Sequence, residues 1–284
     1  MPSAPFTILY GPSKIGKTTA AGSAAAAGLS IAAPGALTPV RTFLGVNDAR
    51  EARAATIPDV IAVLRNEGPK HPVVYVDDWS ILVDRSFKGN WNVLGEEIMA
   101  CADATRNLTE KGITVIYTCH EQPSRESSGK RVRGGPALPG QYPEKFSALA
   151  DVVLRGVAEP TASPWPFVLW SYSRPDWIAG DRLAIFPDQS PLNLAEGLRE
   201  AGHNVPRPKG MEWMDALVEK LAVALMADME NWRVILRGAM EKLREKYPAP
   251  QLRWAASDAL HRAIIRNARS NVTDWLAEPE GNIL

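Results

Sequence analysis

Phe6-Thr7-Ile8-Leu9-Tyr10-Gly11-Pro12-Ser13-Lys14-Ile15-Gly16-Lys17-Thr18-Thr19 is the stretch that decides the fold. Phe6 to Tyr10 is a short, nearly continuous apolar run and reads as a buried strand. Gly11 to Thr18 match the pattern GxxxxGK[ST], and a helix is expected from about Lys17 to Ala27. Strand, glycine-rich turn and helix form the context in which this pattern cradles phosphate. The glycines let backbone N–H groups turn inward, and the helix N-terminus faces the negative charge. Gly11, Pro12, Ser13, Lys14, Ile15, Gly16, Lys17, Thr18 and Thr19 are therefore the candidate nucleotide-binding residues. Lys17 is expected to reach the β- and γ-phosphates, and the Thr18 hydroxyl to ligate Mg²⁺. Lys14 either adds charge toward the phosphates or faces solvent.

Two further strands extend the reading outward. Val73-Val74-Tyr75-Val76-Asp77 is β-branched and ends in an acid, followed by Asp78. Asp77 is expected on the metal side. Asp78 either polarises the attacking water or caps the next helix. Ile113 to Thr118 is a third strand, followed by Cys119-His120-Glu121. In a parallel sheet the strand C-termini open onto one ligand edge. His120 then reports on the γ-phosphate or merely ends its strand, and Glu121 is a weaker candidate base. Helices are expected over Pro58–Asn66 and Val93–Lys111. Continuous apolar strands separated by helices predict an α/β fold whose mainly parallel sheet is covered on both faces. Further strands are expected over Asp151–Val157, Phe167–Tyr172 and Arg182–Phe186, added as a meander. Residues 121–143, rich in Gly, Ser, Pro and Arg, read as a long loop, either functional or mobile. From Leu192 on, the pattern is helical alone. The expected division is residues 1–190 as the nucleotide-binding core and 191–284 as an all-α extension.

Composition excludes several classes. The 284 residues carry 32 Lys plus Arg and 32 Asp plus Glu. A formal charge of zero argues against a uniformly basic coat for nucleic acid. Cys101 and Cys119 form no CxxC pair, so neither a disulfide framework nor a zinc site is expected. The Ala/Gly-rich stretch Thr19–Ala33 reads as packed structure rather than a membrane span. A cytoplasmic protein is the expectation.

YGPSKIGKTT, VVYVDD, VIYTCHE and DWIAGDR together resemble the RecA-like P-loop ATPases encoded by bacteriophages, among them the single-strand-annealing recombinases. The resemblance covers about Phe6 to Pro187. It implies a RecA-like ATPase core, with ATP and Mg²⁺ as cofactors and Lys17 and Thr18 on the nucleotide. Asp77 would be the acid of the second strand motif, and His120 the polar sensor. Arg182 would stabilise charge in cis or in trans, although Gly180-Asp181 stands where a Lys-Asp pair is usual. The catalytic set is then Lys17, Asp78, His120 and Arg182. One departure is plain: Ile31 to Ala36 holds no acid where the family places a catalytic Glu, and Asp48 and Glu51 come late.

The resemblance also implies single-stranded DNA as partner, a homo-oligomer, and a single-strand-binding protein as a possible further partner. The stretches that would approach DNA are Asp84–Asn92, with Arg85, Lys88 and Trp91, and Glu121–Pro143, with Arg125, Lys130, Arg131 and Arg133. Cations beside an aromatic ring suit a single strand, whose phosphates need neutralising and whose bases stack. Between Asn231 and Arg269 there are nine Lys/Arg and three acids. Arg262, Arg266 and Arg269 fall on one helix face, either a DNA surface or an ordinary solvated one. A reading of another class is a nucleotide-gated assembly or loader ATPase that binds a protein through its helical tail.

Overall fold

The computed structural model describes residues 4–32, 35–44, 50–127, 130–158 and 167–277. Two compact units divide the chain, Met1–Lys209 and Gly210–Leu284.

The first unit opens with β1 (Phe6–Gly11), α1 (Lys17–Ala24), β2 (Leu29–Ala32), α2 (Thr38–Leu44), β3 (Arg50–Ala52) and α3 (Ile57–Asn66). Next come β4 (Val73–Asp77), α4 (Trp79–Ser86), α5 (Trp91–Thr109) and β5 (Thr114–Gln122). Three short strands follow, β6 (Arg125–Ser127), β7 (Lys130–Val132) and β8 (Gly135–Pro136), then α6 (Tyr142–Leu149). The unit ends with β9 (Val152–Ala158), β10 (Phe167–Trp170), β11 (Gly180–Asp181), β12 (Gln189–Pro191) and α7 (Leu194–Glu200). The main sheet runs β12-β10-β9-β1-β5-β4-β2-β3. The strands from β9 to β3 along this order are parallel, while β10 pairs antiparallel with both β9 and β12. This is the expected α/β layout with a mainly parallel sheet and C-terminal helices.

Residue alternation covers one sheet face with α3 to α6. Phe6, Ile8 and Tyr10 of β1 and Val115, Tyr117 and Cys119 of β5 enter that core. At its centre Trp79 stacks on Phe146 at 5.4 Å, and Tyr117 meets both rings edge-on at 5.1 and 5.5 Å. Such edge and offset contacts suit the ring quadrupoles. On the other side of the sheet α1 packs with α2 and α7. Local chemistry sets the helix starts. Thr56 and Asp59 form a capping box at α3, and the Asn90 side chain accepts from the N–H groups of Asn92 and Val93 at α5.

Three expectations change. β5 continues past Thr118 because Glu121 and Gln122 pair with Pro136 and Gly135. The stretch 121–143 is accordingly not a plain loop. β6 and β7 form a hairpin with Arg125 opposite Val132, and α6 follows. Arg182–Phe186 is not a strand: the Asp181 carboxylate accepts from Leu183 N at 3.0 Å and Phe186 N at 2.7 Å, tying the chain into a turn.

The second unit contains α8 (Trp213–Ala227), α9 (Trp232–Leu243) and α10 (Ala249–Ala277). Pro248 separates the last two, where the sequence predicts a stop. Helices α8 and α10 pack along their lengths. Glu219 of α8 accepts from Arg262 at 2.8 Å and from Arg266 at 2.8 and 3.0 Å. These two arginines are thus joined to a carboxylate within the unit rather than forming a solvated cationic face, and the Arg269 side chain lies outside the described residues. Arg266 first and Arg262 second pull the Glu219 carboxyl down from the usual 4.5 to about 2. A depressed carboxylate contributes stability above its unfolded pKa and loses it as pH falls through the folded value. Unfolding of this unit is therefore expected to become easier between about pH 4.5 and about pH 2. Glu219→Gln should flatten that stretch of a pH-dependent urea titration. Because Glu219 is 46% exposed, salt should reduce the difference.

Among the described residues no helix is long and apolar enough to cross a membrane.

Candidate phosphate and metal site

The loop Gly11–Thr18 sits at the C-terminal edge of the parallel strands, between the end of β1 and the start of α1. Its glycines have separate reasons. A Cβ at Gly11 would come within 2.4 Å of the Gly156 carbonyl oxygen, so the close passage of β1 past β9 requires glycine there. Gly16 caps α1 with φ 89°, a left-handed conformation that glycine adopts at no steric cost. No side chain caps this helix. Its first N–H groups are thus left for an anion, as a phosphate cradle requires. Ile15 is buried and the Pro12, Ser13 and Lys14 side chains are exposed, while Thr18 and Thr19 are half-buried.

Lys17 is buried, and its Nζ donates to the Gly11 and Pro12 carbonyls at 2.9 and 2.8 Å. Burial pushes its ammonium pKa down, and the charges of Asp78 and Asp77 oppose that fall. The Thr18 hydroxyl donates to Asp77 Oδ2 at 3.3 Å, and the Thr118 hydroxyl donates to Asp77 Oδ1. Strand order explains the pairing. β4 lies one strand from β1, with β5 between, so Asp77 faces Thr18 across Thr118. One carboxylate, one hydroxyl and adjacent phosphate oxygens form a donor set suited to Mg²⁺, which keeps several waters and takes few protein ligands.

Asp78 does two things at once. Its Oδ1 accepts from Ser80 N at 2.8 Å, capping α4, and its Oδ2 lies 3.2 Å from His120 Nε2. Burial pushes the Asp78 carboxyl up, His120 counters that rise, and Asp77 adds to it. The other ring nitrogen of His120, Nδ1, is 3.5 Å from the hydroxyl of Ser13 in the loop. Backbone N–H of His120 donates to Ser80 Oγ at 3.0 Å. A chain Ser13–His120–Asp78 therefore spans from the loop to the acid. It can hold and move a proton beside the place where a γ-phosphate would end.

The structure brings together Ser13, Lys17, Thr18, Asp77, Asp78 and His120. It does not bring in Arg182. Arg182 N donates to Asp151 O beside the first residue of β9, and its guanidinium donates to Ala148 O. Asp151 also binds Phe6 N at the start of β1. That is the opposite edge of the sheet from the loop, five residues of β1 away. Extended chain rises about 3.3 Å per residue, so this arginine cannot act in cis. Glu121 is not a free base either: its Oε1 pairs with Arg155 at 2.7 and 2.9 Å, on the sheet face away from His120. Glu51 pairs with Arg41 at 3.1 Å, and Asp48 lies outside the described residues.

Sequence reading missed Thr118 and Ser80. The signal for Thr118 was a hydroxyl in an apolar strand two residues before His120, hence on the same face. Ser80 had no signal beyond its place after Asp78.

Of the other candidates, Arg85, Lys88 and Trp91 are exposed around the turn between α4 and α5. Trp91 stacks on Phe87 at 4.0 Å, with 58% and 36% of the two residues exposed. Arg125 is exposed on the hairpin. Arg133 pairs with Glu144 at 3.2 Å. The Lys130 and Arg131 side chains lie outside the described residues.

No protein-family model and no curated protein matches the sequence. Among solved structures the chain is similar to the crystal structure of the RadB recombinase, with a TM-score of 0.43 and 19% identity over 62% of this chain and 86% of that one. A likeness this loose says nothing about activity.

Proposed function

We propose that the protein is an ATP-binding and ATP-hydrolysing RecA-like protein acting on single-stranded DNA in phage-type recombination or annealing. The observation that carries the nucleotide part is the uncapped α1 N-terminus with Lys17 at its first position, and Asp77, from across β5, accepting from the Thr18 hydroxyl. In this reading Gly11 to Thr19 cradle the phosphates and Thr18 and Asp77 hold Mg²⁺. A Mg²⁺ ion held there would supply neutralisation of the charge on the phosphate oxygens. Asp78 accepts a proton from the attacking water, and His120 links that acid to the loop through Ser13. Arg182 is left with a role only toward the site of a neighbouring subunit in a homo-oligomer.

For DNA, the support is the exposed Phe87–Trp91 pair in the same turn as Arg85 and Lys88, and the arm β6–β7 with Arg125 and Arg133 at its base. Turnover is expected to rise when single-stranded DNA is added. If about four of these cations neutralise phosphates, log affinity should fall with log salt with a slope of about −3. Turnover indifferent to DNA, with no gel shift at low salt, would sink the DNA part and leave the ATPase standing. The reading that would then take its place is a nucleotide-gated loader ATPase. It is favoured by Val223, Met226 and Val234, apolar side chains 57%, 41% and 70% exposed on α8 and α9.

A further inference from the structure

Beyond Glu121, on the same sheet face, two arginines bracket a group of aromatic rings. Trp170 lies 4.7 Å from Trp177 and 6.0 Å from Tyr172, ring centre to ring centre. Arg155 supports the group from inside, its guanidinium 4.3 Å from the Trp177 ring and its charge matched by Glu121. Arg174 covers the outside. Its guanidinium lies 5.1 Å from Trp170, 5.0 Å from Tyr172 and 5.0 Å from Trp177, and it donates to the Tyr172 hydroxyl. Trp170 and Trp177 are buried, Arg174 is exposed, and among the described residues no ion pair joins Arg174 to a carboxylate.

The backbone around Arg174 is fixed. Arg174 and Trp177 exchange N–H···O bonds at 3.3 Å, and Gly134 binds Asp176 and Ile178 at 2.8 and 2.9 Å. Arg133, at the root of the β6–β7 arm, reaches Ser173 Oγ at 3.4 Å. A guanidinium that no described carboxylate neutralises is thus held about 5 Å from three ring centres, near Arg133, which also pairs with Glu144. Holding it in place beforehand lowers the entropy lost on binding. A planar guanidinium also stacks on π-faces, which a lysine ammonium does not.

We propose that Arg174, on its bed of Trp170, Tyr172 and Trp177, is a contact for single-stranded nucleic acid. A nucleobase stacks on its outer face while Arg133 takes an adjoining phosphate. This site rests on the DNA-binding reading above; Arg174 lies on the β10–β11 connection, outside both stretches where the sequence places DNA contacts, and joins Arg133 of the second stretch.

The test is anisotropy of a fluorescent oligothymidylate with the full chain, alongside ATP turnover without DNA. Arg174→Ala should weaken binding about tenfold and leave basal turnover unchanged. Arg174→Lys, which keeps the charge and a cation over the rings, should fall between the two and guards against a folding defect. Oligothymidylate bound as tightly by Arg174→Ala as by the parent would overturn this site alone. If Arg174→Lys matches the parent, charge suffices and the stacking is wrong. Competition by polyglutamate as effective as by unlabelled oligothymidylate would assign the patch to an acidic protein instead. A parent protein that binds no oligothymidylate would fail the functional reading itself, and this site with it.

Discussion

Lys17→Ala is expected to lose about a hundredfold in ATP affinity while the protein stays folded. The ammonium is buried at the mouth of the loop and bonded to two loop carbonyls. Those carbonyls hold it where phosphate oxygens would compete for it. A charge-assisted hydrogen bond removed from a desolvated site costs about 1.5–3 kcal/mol, and 1.4 kcal/mol is about tenfold in affinity. Two such bonds to phosphate, each at the lower end of that range, give the stated loss. Folding should survive because the variant also removes a buried cation that burial already disfavours. Titration with a fluorescent ATP analogue measures the first effect, and thermal unfolding the second. Unchanged affinity would remove the whole phosphate-site assignment.

Asp78→Asn is expected to lower turnover about a hundredfold or more and to spare nucleotide binding. Asn caps a helix as well as Asp does, so the start of α4 should hold and the loss should report proton transfer. A positioned base contributes about 10²–10⁴-fold, and burial has pushed the Asp78 carboxyl up, which strengthens it as a base. In the parent, turnover should fall as pH drops through that raised carboxyl pKa, because the protonated acid cannot accept. In Asp78→Asn the acid limb should vanish along with the rate. Single-turnover hydrolysis across pH separates this from binding. A rate within a few-fold of the parent, with the acid limb intact, would move the base elsewhere.

How much was legible differs by element. The phosphate loop could be read because its requirements are local. Gly11, Gly16, Lys17 and Thr18 are consecutive parts of one turn, and the residue types follow from backbone conformation and charge at that turn. The strands β1, β4 and β5 were legible because a strand buried on both faces must be apolar throughout. The helix α4 was hidden behind Asp78, whose side chain serves equally as cap and acid. The hairpin β6–β7 was hidden because Arg125–Val132 has no apolar face to reveal a period of two. The choice for Arg182 between acting in cis and in trans was hidden for a different reason. Its distance along the chain says nothing about which sheet edge it reaches, and the turn pinned by Asp181 turns it to the edge away from the loop.

By itself the sequence determined that a strand, a glycine-rich loop and a helix follow one another, and that parallel strands flank them. Those outcomes depend on φ/ψ limits, burial and charge within a dozen residues. Which acid faces Thr18, which residue bridges Asp78 to the loop, and which arginine is neutralised were decided only by the tertiary structure. Strand order places Asp77 across β5 from Thr18. Alternation along β5 turns His120 to the loop and Glu121 to Arg155. The connection from β10 to β11 lays Arg174 over three rings. The contacts of Asp77, His120 and Glu121 join residues far apart in the chain, and no local propensity encodes which of several charged residues will be the one that arrives.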